Sequence, residues 1–270
     1  MLKKWFSGGR LVLLVFCLAL VIGAACSQSQ NNPLADKIPW KVSDSNRPLP
    51  PVITAGTEST PEHAGVPPSD AIVLFDGKDL SAWAGLKGGP AQWALKEGHM
   101  ETGQNAGDIV TKQAFGDCQL HVEWATPNPP ESEDQARGNS GVYLMSLYEI
   151  QVLDSYQNRT YADGSAAAVY AQYPPLANAS RPPGQWQSYD IVFHGPRFDK
   201  EGKLIRTARV TLLHNGVLVQ DHVELTGPTD YMKRPPYRPH PEKMPILLQD
   251  HGAPVSFRNI WIREIPESGS

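Results

Sequence analysis

Beyond its leader, no long stretch of this chain carries the 3.6-residue apolar period of an amphipathic helix, and the chain contains 25 prolines. Proline lacks a backbone donor and clashes with the preceding turn of a helix, so long helices are excluded. What remains is a series of short apolar or alternating runs, among them Gln119–Trp124, Gly141–Met145, Tyr148–Leu153, Ser188–Phe193, Ala208–Leu213 and Phe257–Ile265. Turn residues separate them. Asn215-Gly216, between Leu212-Leu213 and Val217-Leu218, is a hairpin signal, because both turn positions favour positive φ. Many short strands at this spacing predict a sandwich or barrel. Two proline-rich insertions, Tyr173–Gly184 and Thr226–Pro245, exceed hairpin length and are expected to rim a cleft.

Side chains on a strand alternate faces. In the run Tyr148–Asp154 this sends Tyr148, Ile150 and Val152 toward a core, and Glu149 and Gln151 to the other side. That side can offer a carboxylate and an amide to a polar ligand, or it can be the ordinary solvated face of an antiparallel sheet. Asp154 alternates to the opposite face unless a bulge intervenes, and equally suits the turn before Ser155. Gln249 and His251 share a face by the same alternation. Arg258 is a cation in an apolar strand, placed by strict alternation on the face of Ile260 and Ile262. Such an arginine is paired or sits at a rim, so it either stabilises an oxyanion or pairs with Glu149 or Asp154. Trp83, Trp93 and Trp124 read as core, whereas Trp186 lies beside a long insertion.

Lys3, Lys4 and Arg10 precede an apolar run, Leu11–Ile22, and then Gly23-Ala24-Ala25. This is the layout of a secretory signal over residues 1–25, with an apolar stretch short for a membrane span. The following cysteine resembles a bacterial lipobox, which implies lipidation at Cys26. With Ser27 after it, the resemblance implies a lipid anchor at the cell envelope, at the outer membrane or in the periplasm of a cell that has an outer membrane; the alternative is an ordinary signal cut near Ala25. Residues 26–69 are rich in Pro, Ser, Asn and Thr and read as a flexible tether. The folded domain is expected over 70–266, with a short tail at 267–270. Of the three cysteines only Cys118 falls in that domain, which excludes an intrachain disulfide and a cysteine zinc site. A net charge of −4 without a basic stripe gives no footprint for nucleic acid.

Several motifs recur in one order: Leu74-Phe75-Asp76-Gly77-Lys78, Asn139-Ser140-Gly141, Tyr148–Asp154, Ala168-Val169-Tyr170, Gly184-Gln185-Trp186, His214-Asn215-Gly216 and Leu248–Gly252 with Phe257–Ile260. Together they resemble the 3-keto-disaccharide hydrolase family over about residues 71–265. The resemblance implies an all-β, concanavalin-like jelly roll of two antiparallel sheets, one of them carrying a sugar site. It also implies a small carbohydrate substrate, a glycoside oxidised to a ketone at carbon 3, supplied by a separate sugar 3-oxidoreductase. The chain departs at Gln185-Trp186-Gln187, where members often have an acid before the Trp and Asn after it.

A ketone at carbon 3 acidifies the proton on carbon 2, so a base can remove it and the enolate can expel the carbon-1 group. Hydration then completes a net hydrolysis. This chemistry needs a base, an enolate stabiliser and an acid. Glu149 is the candidate base or metal ligand, His251 the titrating acid or base, and Arg258 an oxyanion stabiliser. Asn139, Ser140, Gln151, Tyr170, Trp186 and Gln249 are candidates for substrate binding. No cofactor is called for, although a divalent ion held by Glu149, His251 and a further carboxylate is left open. Two other readings stand beside this one. The first is a non-catalytic carbohydrate-binding module on the same fold. The second is a laminarinase-type retaining glycosidase, for which Glu149-x-Gln151-x-x-Asp154 has a related layout but an amide in the middle.

Overall fold

The computed structural model describes residues 37–103 and 105–266. The signal segment 1–25, Cys26 and the tail 267–270 lie outside the described residues, so their expectations stand as made. The described residues divide between two compact units, with the boundary between Pro51 and Val52. In the first, residues 41–47 form short turns, with the Asp44 carboxylate accepting the Asn46 N–H at 2.9 Å. No helix among the described residues is long and apolar enough to cross a membrane.

The second unit is built of strands β1 (Ile72–Phe75), β2 (Trp83–Gly85), β3 (Ala94–Lys96), β4 (His99–Glu101), β5 (Ile109–Phe115) and β6 (Cys118–Ala125). Then follow β7 (Ser140–Leu144), β8 (Tyr148–Val152), β9 (Gln187–His194), β10 (Arg197–Phe198) and β11 (Leu204–Arg206). The last are β12 (Arg209–His214), β13 (Val217–Glu224), β14 (Met244–Leu248) and β15 (Ser256–Glu264). Two sheets face each other. The larger runs β13-β12-β9-β6-β15-β4-β3, with β1 also on β15; the smaller runs β2-β5-β14-β7-β8. The fold is an all-β jelly roll, one of the sandwiches the strand pattern allows and the one the family resemblance implies.

The inner faces meet in one apolar core. Val142, Leu144, Tyr148, Ile150 and Val152 of the smaller sheet join Leu120, Val122, Tyr189, Ile191 and Phe193 of the larger. Trp83, Trp93 and Trp124 are core residues, as read from the sequence. Asn215 and Gly216 turn the β12–β13 hairpin with φ of 52° and 79°, the positive-φ pair that matches strand twist. Cys118 is fully buried, and burial pushes its thiol up to about 12.

Two features depart from the strand-by-strand expectation. Phe257, Ile260 and Ile262 all enter the core, which strict alternation forbids. A bulge takes up the extra residue: Arg258 pairs with Glu123 but Trp261 with His121, so three steps on β15 span two on β6. Asn259 sits in it at φ 46°. The bulge sends Arg258 to the outer face, opposite to Ile260 and Ile262 rather than beside them. The second departure is the stretch from Val52, read from sequence as tether. It turns back on itself through Thr57 N–H to Val66 O at 2.8 Å and Ser69 N–H to Thr54 O at 3.0 Å. It then lies on the larger sheet, where Arg258 donates to Thr60 O at 2.6 Å.

Candidate active site

The outer face of the smaller sheet carries the polar residues of β8. Glu149 and Gln151 point there while Tyr148, Ile150 and Val152 enter the core. Pairing with β7 sets Tyr143 opposite Glu149 and Gly141 opposite Gln151. Gln249 follows β14 and donates its backbone N–H to Gly141 O at 3.0 Å. Tyr143, Glu149, Gln151 and Gln249 make one wall of a cavity of about 380 Å³. Asn139, Tyr170 and Thr229 extend that wall, and the exposed Asp230, Tyr231 and His251 stand at the mouth.

Glu149 is fixed through its backbone, whose N–H donates to Thr229 Oγ1 at 2.9 Å and whose carbonyl accepts from Tyr170 N–H at 3.2 Å. Its carboxyl lies over Gly141. A Cβ there would stand 2.6 Å from Glu149 Oε1 and 2.8 Å from Tyr143 Cε2, so only glycine leaves the acid its place. Burial drives the Glu149 carboxyl up to about 7, opposed only by a hydrogen bond from the Tyr143 hydroxyl. The Tyr143 phenol is raised far above its ordinary value, first by burial and then by the Glu149 charge. A carboxyl that exchanges its proton near neutrality is suited to general acid–base work.

The amides around it are only partly satisfied by the protein. Gln249 Nε2 donates to the Tyr143 hydroxyl at 3.3 Å, and Gln151 Nε2 to Gly164 O at 3.3 Å. The Oε1 atoms of both glutamines are buried without a protein partner. An orphaned buried acceptor costs about 1–3 kcal/mol, which a ligand hydroxyl would relieve. Asn139 Nδ2 donates to Gln135 O at 2.6 Å.

The fold thus brings Glu149, His251, Asn139, Gln151, Tyr170 and Gln249 around one cavity. Ser140 supports it from behind: its hydroxyl, fully buried, donates to Gln249 O at 2.6 Å. Asp154 faces away, accepting from Arg137 Nε at 2.7 Å and from Tyr156 N–H at 3.1 Å, the turn role open to it in the sequence. Arg258 and Trp186 do not reach this cavity. Arg258 pairs with neither Glu149 nor Asp154 but with Glu123 at 2.7 Å, on the larger sheet, with its guanidinium 4.3 Å from the Trp186 ring centre. The physical reason is the β15 bulge together with sheet membership, neither of which local alternation reveals. Gln187, one of the departures in its motif, is a buried structural amide that accepts from Arg181 N–H and Asn215 Nδ2.

Arg258 and Trp186 border a second cavity, of about 610 Å³, on the outer face of the larger sheet. Its base is a closed polar cluster. Glu123 accepts from Arg258, from Asn259 Nδ2 at 2.7 Å, from His121 and from the Ser59 hydroxyl. Burial alone would raise Glu123, but these hydrogen bonds outweigh it and hold the carboxyl at about 2. Burial would likewise lower His121, yet its contacts with Asp190 and Glu123 lift it to about 9. Each proton here is already committed. Of the two insertions expected to rim a cleft, Thr226–Pro245 borders the Glu149 cavity through Thr229–Tyr231, and Tyr173–Gly184 borders the second through Arg181.

Among the described residues no group of three His, Cys, Asp or Glu side chains is disposed to hold a metal ion. Sequence reasoning missed Tyr143, Thr229, Asp230 and Tyr231. Tyr143 was within reach, since closing 140–144 and 148–152 into a hairpin sets it against Glu149. Thr229–Tyr231 lie in an insertion whose path no periodicity dictates.

Solved structures share this architecture. A proposed glycosyl hydrolase from Parabacteroides distasonis ATCC 8503 is 46% identical, with a TM-score of 0.79, covering 83% of this chain and 95% of its own. A second from the same organism, 20% identical with a TM-score of 0.53, covers 73% of this chain and 94% of its own and supports the fold alone. None of the curated proteins matches the chain. The 3-keto-alpha-glucoside-1,2-lyase-like domain matches residues 70–263. The chain accordingly belongs to the 3-keto-alpha-glucoside-1,2-lyase-like family, a glycoside-processing domain on a jelly roll.

Proposed function

We propose that this domain cleaves 3-keto-glycosides by elimination followed by hydration. The observation that carries the reading is a single buried carboxylate, Glu149, poised at about 7 in a cavity walled by amides and a phenol. Ionised Glu149 takes the proton from carbon 2, and the electron pair moves onto the carbon-3 oxygen. The second N–H of Gln249 and the Tyr143 hydroxyl, released from Glu149 as that carboxylate takes the proton, are the donors at hand for the enolate. Collapse of the enolate breaks the carbon-1–oxygen bond, and the departing oxygen takes a proton from the mouth of the cavity, where His251 stands. Water then adds across the enone, its hydroxyl to carbon 1 and its proton to the group that protonated the leaving oxygen, while Glu149 returns its proton to carbon 2; this gives the free keto-sugar and resets the site.

A retaining glycosidase needs two carboxylates about 5 Å apart across the scissile bond. The strand that would supply them has Gln151 in the middle, and its Asp154 is bound to Arg137 away from the cavity. Export through the leader, lipidation at Cys26 and dependence on a separate oxidoreductase for the ketone complete the proposal. The test is aglycone release from a 3-keto-glucoside and its unoxidised parent, with and without chelator. Release from the keto form alone is expected, rising with pH to a plateau above about 7 as Glu149 ionises, and lost in Glu149→Gln. Turnover of the unoxidised parent would overturn the mechanism. Binding of a plain glycan with turnover of neither would favour the binding module.

A further inference from the structure

A groove of about 620 Å³ adjoins the Glu149 cavity and shares two of its residues, Tyr170 and Tyr231. Its other apolar surface comes from Tyr161 and Met232, which are 45% and 79% exposed, while Tyr231 itself is 70% exposed. Large apolar side chains gathered in the open beside a polar cavity mark a contact surface.

The groove is built rather than incidental. The Tyr161 ring lies against Gly164, where a Cβ would overlap it, and its hydroxyl bonds that of Tyr170 at 2.9 Å. Gly164 in turn accepts from the Gln151 amide through its carbonyl. The tyrosine wall is thereby tied to the wall of the Glu149 cavity. Across the groove Arg234 donates to Ala171 O at 2.7 Å and lies 3.8 Å from Asp163.

We propose that this groove is the subsite for the departing group, and that it selects an aryl aglycone over a second sugar. The inference rests on the elimination reading above and sets carbon 1 at the junction marked by Tyr170 and Tyr231. Its substance is the chemistry of the lining. The two inner phenols spend their hydroxyls on each other, and Arg234 and Asp163 on each other and on backbone. A hydroxyl-rich ring would find its free partners mainly in the largely exposed Lys233 ammonium and Tyr231 hydroxyl, whereas a planar apolar group gains ring contacts from the tyrosines and a thioether contact from Met232.

The test compares a 2-naphthyl and a methyl 3-keto-glucoside on the full chain and on the double variant Tyr161→Ala/Met232→Ala. Both side chains are exposed and neither lines the Glu149 cavity; because Tyr161 also bonds the Tyr170 hydroxyl, the readout is the ratio between the two substrates and not the rate on either. The ratio of kcat/KM, naphthyl over methyl, is expected to fall about tenfold or more in the variant, mainly through KM. An unchanged ratio overturns the subsite. A binding arm separates the two proposals: unoxidised 2-naphthyl glucoside is titrated calorimetrically into Glu149→Gln and into the double variant. Binding retained in the first and weakened in the second supports the groove even if no keto-glycoside is turned over. Equal binding in both overturns it even if turnover is confirmed.

Discussion

Glu149 is held where its charge is unwelcome, and the cost is measurable. The ordinary carboxyl titrates near 4.5 and this one at about 7, so between those values the folded chain holds a proton that the unfolded chain has lost. Stability contributed by this group therefore declines as pH rises from 4.5 through 7. At about 1.4 kcal/mol per pH unit, ionising it in the fold costs roughly 3 kcal/mol. Glu149→Gln carries no such penalty. Urea unfolding should show its stability relative to wild type improving by about that amount between pH 4 and pH 8, while turnover is lost. A flat difference across that range would mean the carboxyl is well solvated. Activity gained at the expense of stability is the usual trade at such sites.

Among the elements, β8 and β15 show what was readable and what was not. The alternation of Tyr148–Val152 placed Glu149 and Gln151 on one face, because a regular strand has no other choice. The same logic failed for Arg258, because a bulge centred on Asn259 resets the phase. Sheet assignment is a matter of long-range pairing, so no local pattern could separate Arg258 from Glu149. The bulge serves the Glu123 cluster, bringing Arg258 and Asn259 onto one carboxylate. Glu123 is lowered in the fold, so its contribution is present above about 4.5 and is lost as pH falls through about 2. His121 is raised, so its contribution is whole below about 6.5 and is lost as pH rises through about 9. Glu123→Ala would leave Arg258 buried without its counter-ion and should cost about 3–5 kcal/mol in denaturant unfolding. The Glu149 cavity is untouched, so turnover should persist at temperatures where the variant stays folded.

For the molecule as a whole, the boundary lies earlier than the motifs suggest. The family match begins at residue 70, yet the compact unit begins at Val52, and the guanidinium of Arg258 reaches the carbonyls of Thr60 and Pro61. A Pro- and Ser-rich composition hid this, because the segment is held by its polar groups rather than by apolar burial. A fragment starting at residue 70 should melt several degrees below one starting at 52, yet turn over the same substrate. Equal melting temperatures would show that residues 52–69 add nothing to the fold.

The Glu123 cluster and the Glu149 cavity lie on different sheets, with the apolar core between them. The polar groups that strengthen the fold are therefore not those proposed to act on substrate. Replacing Glu149 removes a burden from the fold, and the ion-paired Glu123 cluster is left intact by changes in the cavity. A lineage built this way can exchange one substrate for another by drift in the smaller sheet and its loops, without first acquiring compensating mutations elsewhere.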